Sequence, residues 1–309
     1  MRFIVALLLA LLAGLLAWHT VALSLPEPLT SPTSPSLERQ VSYPVPQPRP
    51  DFARAFEDEG VDGTFVLAVL SGEPLLDAAA IGIDRLQVHN LERATTRYLP
   101  ASTFKIPNAL VALESGVVAD SNEVFVWDGV ERFASAWNQD LTLGPALRAS
   151  AVWVFQDIAR RVGEDRMQGY VDRLGYGNLD ISGGIDLFWL NGGLRISALE
   201  QITLLEGLAR GSLPFSSPTQ KAVRSMMTVE RGVLTDGTPY VLRAKTGWAN
   251  APEPDIGWWV GYVEHTTPEG PRRWAFALNI AMPEGGDDAP KRIRIARTLL
   301  ESEGLVPTR

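Results

Sequence analysis

The chain has 309 residues, 28 Lys plus Arg against 36 Asp plus Glu (net charge −8), 46% hydrophobic residues, no cysteine and three histidines. That composition is globular and excludes a disordered chain, disulfides, thiolate chemistry and cysteine-ligated metals. Two histidines beyond the N-terminal stretch are too few for a His-rich metal site, and an acidic balance without a basic run argues against nucleic acid or an anionic membrane surface as partner.

Residues 1–24 place Arg2 before an apolar run, the form of a secretory signal peptide with Thr20-Val21-Ala22 as cleavage site, or of an uncleaved membrane anchor. Residues 25–50 hold eight prolines and read as a linker, which leaves 51–309 as the globular domain. In that domain 63–70 reads as a strand, with shorter ones at 86–90 and 97–99. A helix over 102–115 stops at Gly116, and a second over 150–162 stops at Gly163. Ser197 and Glu200 form a capping box that opens a helix ending at Arg210 before Gly211, and Ser217-Pro218 begins another with Pro218 at the first helical position. The stretches 240–245, 256–264 and 274–282 are strands joined by loops too short for crossover helices, hence antiparallel, and a last helix runs from about 290 to 303. The pattern predicts an α+β fold, a sheet covered by helices.

Only four of the 28 basic residues are lysines: Lys105, Lys221, Lys245 and Lys291. Arginine cannot lose its proton in a protein, so a chain that otherwise uses arginine has reason to keep lysine where chemistry needs a neutral amine. Ser102-Thr103-Phe104-Lys105 puts a hydroxyl and an amine three residues apart on one helix face, beside the free N–H groups of a helix start. Lys245-Thr246-Gly247 closes a strand, with Gly247 open to close approach. Either motif alone is short enough to be a capped helix or a strand end. Together they are the S-x-x-K and K-T-G pair of serine acyl-transfer enzymes. Between them stand Ser150-Ala151-Val152, Tyr176-Gly177-Asn178 and Trp189-Leu190-Asn191-Gly192.

With these five motifs in order, residues from about 63 to 307 resemble the class D (oxacillinase-type) serine β-lactamases. The resemblance implies the β-lactamase/transpeptidase-like fold, an antiparallel sheet flanked by helices with a helical subdomain. It makes Ser102 the acylated nucleophile and Lys105 a lysine carboxylated by carbon dioxide, the general base of both half-reactions. Val152 and Leu190 would wall that group with apolar surface, and the Trp189 indole N–H would hold it. Ser150 would relay a proton to the leaving nitrogen; as a residue it also reads as the N-cap of the helix it opens. The backbone N–H groups of Ser102 and Trp248 would form the oxyanion hole. Lys245, Thr246, Gly247 and an arginine of the last helix, Arg292 with Arg294 as competitor, would bind the substrate carboxylate. Tyr176 and Asn178 would shape the site. No metal is implied.

The expectation is an exported or periplasmic enzyme that hydrolyses β-lactam antibiotics and confers resistance to them. A Ser-His-Asp triad is the weaker reading, because neither His89 nor His265 has a motif around it. A penicillin-binding D,D-peptidase shares S-x-x-K and K-T-G, but Trp189-x-x-Gly192 speaks against it. The rival from outside catalysis is a β-lactam sensor domain that stays acylated, against which stands the single N-terminal apolar segment.

Overall fold

In the computed structural model, which describes residues 43–70, 83–250 and 254–309, ordered packing begins ahead of the expected domain boundary. Strand β1 (Gln47–Pro48) lies parallel to β3 (Ile83–His89), and β2 (Gly63–Leu70) runs antiparallel to β3 on its other side. The Arg49 N–H donates to the Val88 carbonyl at 2.9 Å, and the Tyr43 hydroxyl donates to the Leu199 carbonyl at 3.1 Å. Part of the proline-rich stretch expected as linker is therefore an edge strand, a place where a proline's missing N–H costs no ladder bond. The signal-peptide expectation and residues 25–42 of the linker lie outside the described residues.

Three short helical pieces follow in the N-terminal half: α1 (Ala53–Glu57), α2 (Leu91–Thr95) and a 3₁₀ turn, Ala101–Phe104, that runs straight into α3 (Lys105–Glu114). A two-stranded ribbon of β4 (Val124–Phe125) and β5 (Leu141–Thr142) precedes α4 (Leu143–Ala149), α5 (Val152–Val162) and α6 (Glu164–Leu174). Next come α7 (Ala198–Arg210) and α8 (Ser217–Met226), then β6 (Thr228–Val233), β7 (Pro239–Ala249), β8 (Asp255–Thr267), β9 (Gly270–Met282) and α9 (Lys291–Ser302).

The seven-stranded sheet has the order β1-β3-β2-β9-β8-β7-β6. Every neighbouring pair is antiparallel except β1 with β3. Period-two alternation sorts each central strand between two cores. From β2, Val66 and Ala68 face a helical core with Leu110, Val154, Ile202 and Leu205, while Phe65 and Leu67 face Phe52, Phe56, Ile295 and Leu299. Strand β8 does the same, with Trp258, Val260 and Tyr262 on the first side and Trp259 and Val263 on the second. The α+β class and the antiparallel C-terminal meander are as the sequence predicts.

Several boundaries differ. The predicted strand 97–99 is a single bridge, Tyr98 with Ile196. β7 does not end at the K-T-G lysine, because β8 keeps pairing with it as far as Ala249↔Ile256. The capping box of α7 is present in both directions. α8 is capped not by Ser217 but by Ser216, and the Ser216 side chain accepts from the Thr219 N–H.

Candidate active site

Ser102 sits in the 3₁₀ turn ahead of α3, with Lys105 as the first residue of the helix proper. Residues three apart face one another there, and Lys105 Nζ donates to Ser102 Oγ at 2.8 Å. The turn is held from two sides. The Ala101 N–H donates to the Trp189 carbonyl at 3.0 Å, and Thr103 Oγ1 donates to the Pro100 carbonyl at 2.7 Å. Ala101 itself has φ +46°, a left-handed conformation that an L side chain adopts at a cost of about 1–2 kcal/mol. Backbone strain thus falls on the residue directly before the serine.

Lys105 is wholly buried, with the Phe155 ring centroid 5.6 Å from Nζ. Burial among apolar groups disfavours its charged form and pushes its pKa down to about 7. Trp189 is likewise fully buried, packed edge-on to Phe188 (4.8 Å) and stacked on Phe104 (5.6 Å), and its Nε1 has no hydrogen-bond partner among the described residues. A buried indole N–H without an acceptor is costly. A carboxyl group on Lys105 Nζ would require an amine that is half neutral near pH 7 and a buried donor without a partner; Lys105 supplies the first, and Trp189, stacked on the neighbouring Phe104, supplies the second, so the residues present fit that group. Val152 heads α5, the helix that carries Phe155, and Leu190 follows Trp189; both are half-buried.

Ser150 departs from the sequence reading. It is not the N-cap of α5, whose N-cap is Ala151, but the residue that ends α4, with φ +59° and ψ +31°. The left-handed turn stops α4 as a glycine would. The Ser150 hydroxyl accepts a hydrogen bond from Lys245 Nζ, which also donates to the Thr246 carbonyl at 2.8 Å and reaches Thr246 Oγ1 at 3.4 Å. Lys245 is 4% exposed. Burial first, then the charges of Lys105 and Arg292, hold its pKa well below the usual lysine range.

The sheet presents a free edge at this point. β6 pairs with β7 only as far as Arg243, so residues 245–249 have a strand partner in β8 alone and meet the Ser102 turn on the other side. The Ala244 N–H points to the β6 side, where it donates to the Met227 carbonyl. Alternation along an unbulged strand then directs the Thr246 and Trp248 N–H groups to the same side, the open edge beside Ser102. Gly247 permits the approach: a Cβ there would meet the Pro100 carbonyl oxygen at 3.0 Å and Thr103 Cγ2 at 3.0 Å. The Trp248 indole, 37% exposed, donates to Asp255 Oδ2 at 2.7 Å.

The two candidate arginines of α9 separate cleanly. Arg292 Nη1 donates to the Gly247 carbonyl at 3.0 Å, its Nε is buried without a partner among the described residues, and burial lowers its pKa to about 10. Arg294 instead forms a two-pronged pair with Glu59 at 2.7 and 2.6 Å. Lys105, Lys245 and Arg292 therefore converge without an ion-pair carboxylate among the described residues, a local field that favours an anion. Tyr176 packs edge-on to Phe104 at 5.4 Å, and burial raises the pKa of its phenol, which neighbours Thr103 and Gln201. Asn178 acts as a clamp: its Nδ2 donates to the Gly193 carbonyl at 2.9 Å and its Oδ1 accepts from the Arg195 N–H at 2.8 Å, closing the base of the loop that carries Trp189.

The two histidines among the described residues serve the fold. His89 stacks on Phe56 at 4.7 Å, and His265 Nε2 bonds the Leu305 carbonyl at 2.8 Å. Sequence reasoning passed over Phe155 and Asp255. Phe155 could have been found as one helical turn beyond Val152; Asp255 carries no local signal, because it meets Trp248 only across the β7–β8 connection.

A serine–lysine pair at the start of a buried helix, faced by a second serine–lysine pair on a sheet edge, defines a serine acyl-transfer enzyme. Residues 75–301 match the penicillin binding protein transpeptidase domain family. Beta-lactamase OXA-5 of Pseudomonas aeruginosa is 41% identical over 257 residues, covering 82% of this chain and 88% of its own. Beta-lactamase OXA-48 of Klebsiella pneumoniae is 45% identical over 219 residues, 71% of this chain and 79% of its own. Among solved structures, the class D β-lactamase YbXI from Nostoc has 39% identity and a TM-score of 0.73, covering 82% of this chain and 99% of its own. FUS-1 (OXA-85), from Fusobacterium nucleatum subsp. polymorphum, has 34% identity and a TM-score of 0.74, covering 84% of this chain and all of its own. The chain belongs to the class D serine β-lactamases.

Proposed function

We propose that this chain hydrolyses the amide of β-lactam antibiotics through an acyl-enzyme on Ser102. The observation that carries the reading is the contact of a fully buried lysine, its pKa lowered to about 7, with the Ser102 hydroxyl at 2.8 Å. Ser102 Oγ attacks the lactam carbonyl carbon, its proton passing to the base at Lys105, while the backbone N–H groups of Ser102 and Trp248 hold the developing oxyanion. The C–N bond breaks, and the nitrogen takes a proton from Ser150 Oγ, which Lys245 Nζ replenishes along the hydrogen bond between them; water then attacks the acyl carbon and the Ser102 Oγ–C bond breaks, which releases the acid and restores the serine hydroxyl. Arg292, Lys245 and Thr246 Oγ1 bind the substrate carboxylate, and Gly247 leaves room for substrate along the β7 edge. A carboxyl group on Lys105 Nζ supplies a general base when bound, with Trp189 Nε1 as its donor and Val152 and Leu190 as its apolar wall. Tyr176 and Asn178 hold the surrounding loop in place.

The N-terminal segment fits export to the periplasm, where such substrates are met; among the described residues no helix is long and apolar enough to cross a membrane. Burst against steady turnover with a chromogenic β-lactam tests the proposal. Continuous hydrolysis over many equivalents is expected. Release of one equivalent followed by silence would replace the hydrolase by a penicillin-binding or sensor domain.

A further inference from the structure

Away from the active site, the sheet face under α7 and α8 carries a cavity of about 410 Å³ whose charge is opposite to that of the chain. Six cations line it: Arg210, Lys221, Arg224, Arg231, Arg243 and Arg273. Two carboxylates answer them. Glu206 lies 3.3 Å from Arg210, and Glu264 pairs with Arg273 at 2.5 Å and with Arg243 at 3.5 Å. Lys221, Arg224 and Arg231 have no ion-pair carboxylate among the described residues; Arg224 donates to the Leu208 carbonyl at 3.0 Å and Arg231 reaches only Thr228 Oγ1 at 3.5 Å. The chain carries a net charge of −8, yet this concavity is strongly positive.

Two residues of the lining add buried polar atoms without partners among the described residues. Tyr262 is fully buried, and its hydroxyl has no hydrogen-bond partner among the described residues; the same holds for the Nε of Arg243, whose guanidinium lies 5.3 Å over the Tyr262 ring. A buried phenol without an acceptor costs free energy that an incoming oxygen would recover. Burial also keeps that phenol protonated, with its pKa raised to about 12, so it can donate to an incoming oxygen.

We infer that this cavity is a binding site for a small polyvalent oxyanion of the phosphate or diphosphate class, held by Lys221, Arg224, Arg231 and Arg243, with the Tyr262 hydroxyl as its buried donor. Guanidinium forks match phosphoryl oxygens two at a time, and a diphosphate fits the volume better than a monatomic ion. The chain's net charge of −8 works against a long polyanion as the ligand. The site also accounts for Lys221, one of the two lysines that the hydrolytic site leaves unused.

Thermal unfolding of the full chain, with sodium diphosphate or sodium phosphate compared against sodium chloride at equal ionic strength, tests the site without reference to hydrolysis. The expected result is a saturable rise in Tm with diphosphate, weaker with phosphate and absent with chloride. Lys221→Glu combined with Arg231→Glu, both at exposed positions, should raise the half-saturating concentration at least about tenfold while leaving β-lactam turnover unchanged. Tyr262→Phe should weaken binding several-fold with the fold intact. An equal rise with chloride, or a rise that the charge-reversed variant keeps, would overturn the site. A rise that appears only as sedimentation shows dimers forming would make this face an interface between copies instead.

Discussion

Two lysines of this chain are buried beside serines, and what distinguishes them is what surrounds the amine. Lys105 is enclosed by apolar groups, with Ser102 Oγ as its one hydrogen-bond partner among the described residues, whereas Lys245 has Ser150, Thr246 and the neighbouring positive charges around it. Their scarcity was legible in the sequence, and so was the chemistry that needs an amine able to lose its proton. The geometry of Ser150 was not: a serine before a helical pattern reads as an N-cap, and its left-handed φ of +59° comes from the end of α4, which Pro145 conceals from propensity. At this scale the testable residue is Trp189. Trp189→Phe keeps the ring packing against Phe104 and Phe188 but removes the unpartnered indole N–H. A hydrogen bond to a charged group is worth about 1.5–3 kcal/mol, so the bicarbonate concentration giving half-maximal turnover should rise roughly tenfold or more, with full activity restored at saturation. Steady-state assays across a bicarbonate series measure this. Identical curves for variant and wild type would remove Trp189 from the support of Lys105.

Among the elements, the decisive contact is between the 3₁₀ turn of Ser102 and the unpaired edge of β7. The sequence announced β7, but not that its pairing with β6 would stop at Arg243 and leave residues 245–249 open on that side. Strand ends are set by what a neighbour pairs with, and that information lies far away in the chain. The same reason hides the extension of β7 to Ala249 and reduces 97–99 to one bridge, Tyr98 with Ile196. Helix punctuation, by contrast, is local chemistry: the Ser197–Glu200 capping box and the left-handed Gly211 end α7 where the residues said they would. Gly247 tests the turn–edge contact. Its substitution by alanine places a Cβ 3.0 Å from the Pro100 carbonyl oxygen and 3.1 Å from Trp258 Cβ, so the edge or the turn must give. A shift of that kind separates the Trp248 N–H from Ser102, and kcat/KM should fall about a hundredfold. The loss should appear in the acylation rate measured by stopped flow. Wild-type acylation by Gly247→Ala would mean that the close approach has no part in catalysis.

For the molecule as a whole, the sequence carried the fold class through its C-terminal meander, while the pairing of β2 with β9 joins strands about 200 residues apart and has no local signature. That long-range pairing encloses the helical core, and with it the cluster of Lys105, Lys245 and Arg292, so the fold carries a burden of buried positive charge. Its consequence is a pH dependence of stability. Lys105 has a pKa of about 7 in the folded protein and about 10.4 when unfolded. Below pH 7 both states bind the proton, and the folded state bears the full cost of a buried ammonium. Between the two values the unfolded chain binds more protons, so stability must rise with pH, by up to about 1.4 kcal/mol per unit from this one group. Lys245 is depressed in the same direction and adds to the rise. Lys105→Met removes the first contribution while filling the apolar pocket. Urea unfolding in carbon dioxide-free buffer at pH 7.5 and 9.5 should show the wild type gaining about 2 kcal/mol more than the variant over that interval. The variant should also be at least as stable at the lower pH, because an uncompensated buried amine has been exchanged for a thioether of similar length. Equal pH slopes in the two proteins would show that Lys105 is not neutral in the folded state. The amine could then not be carboxylated, since only the free base reacts with carbon dioxide.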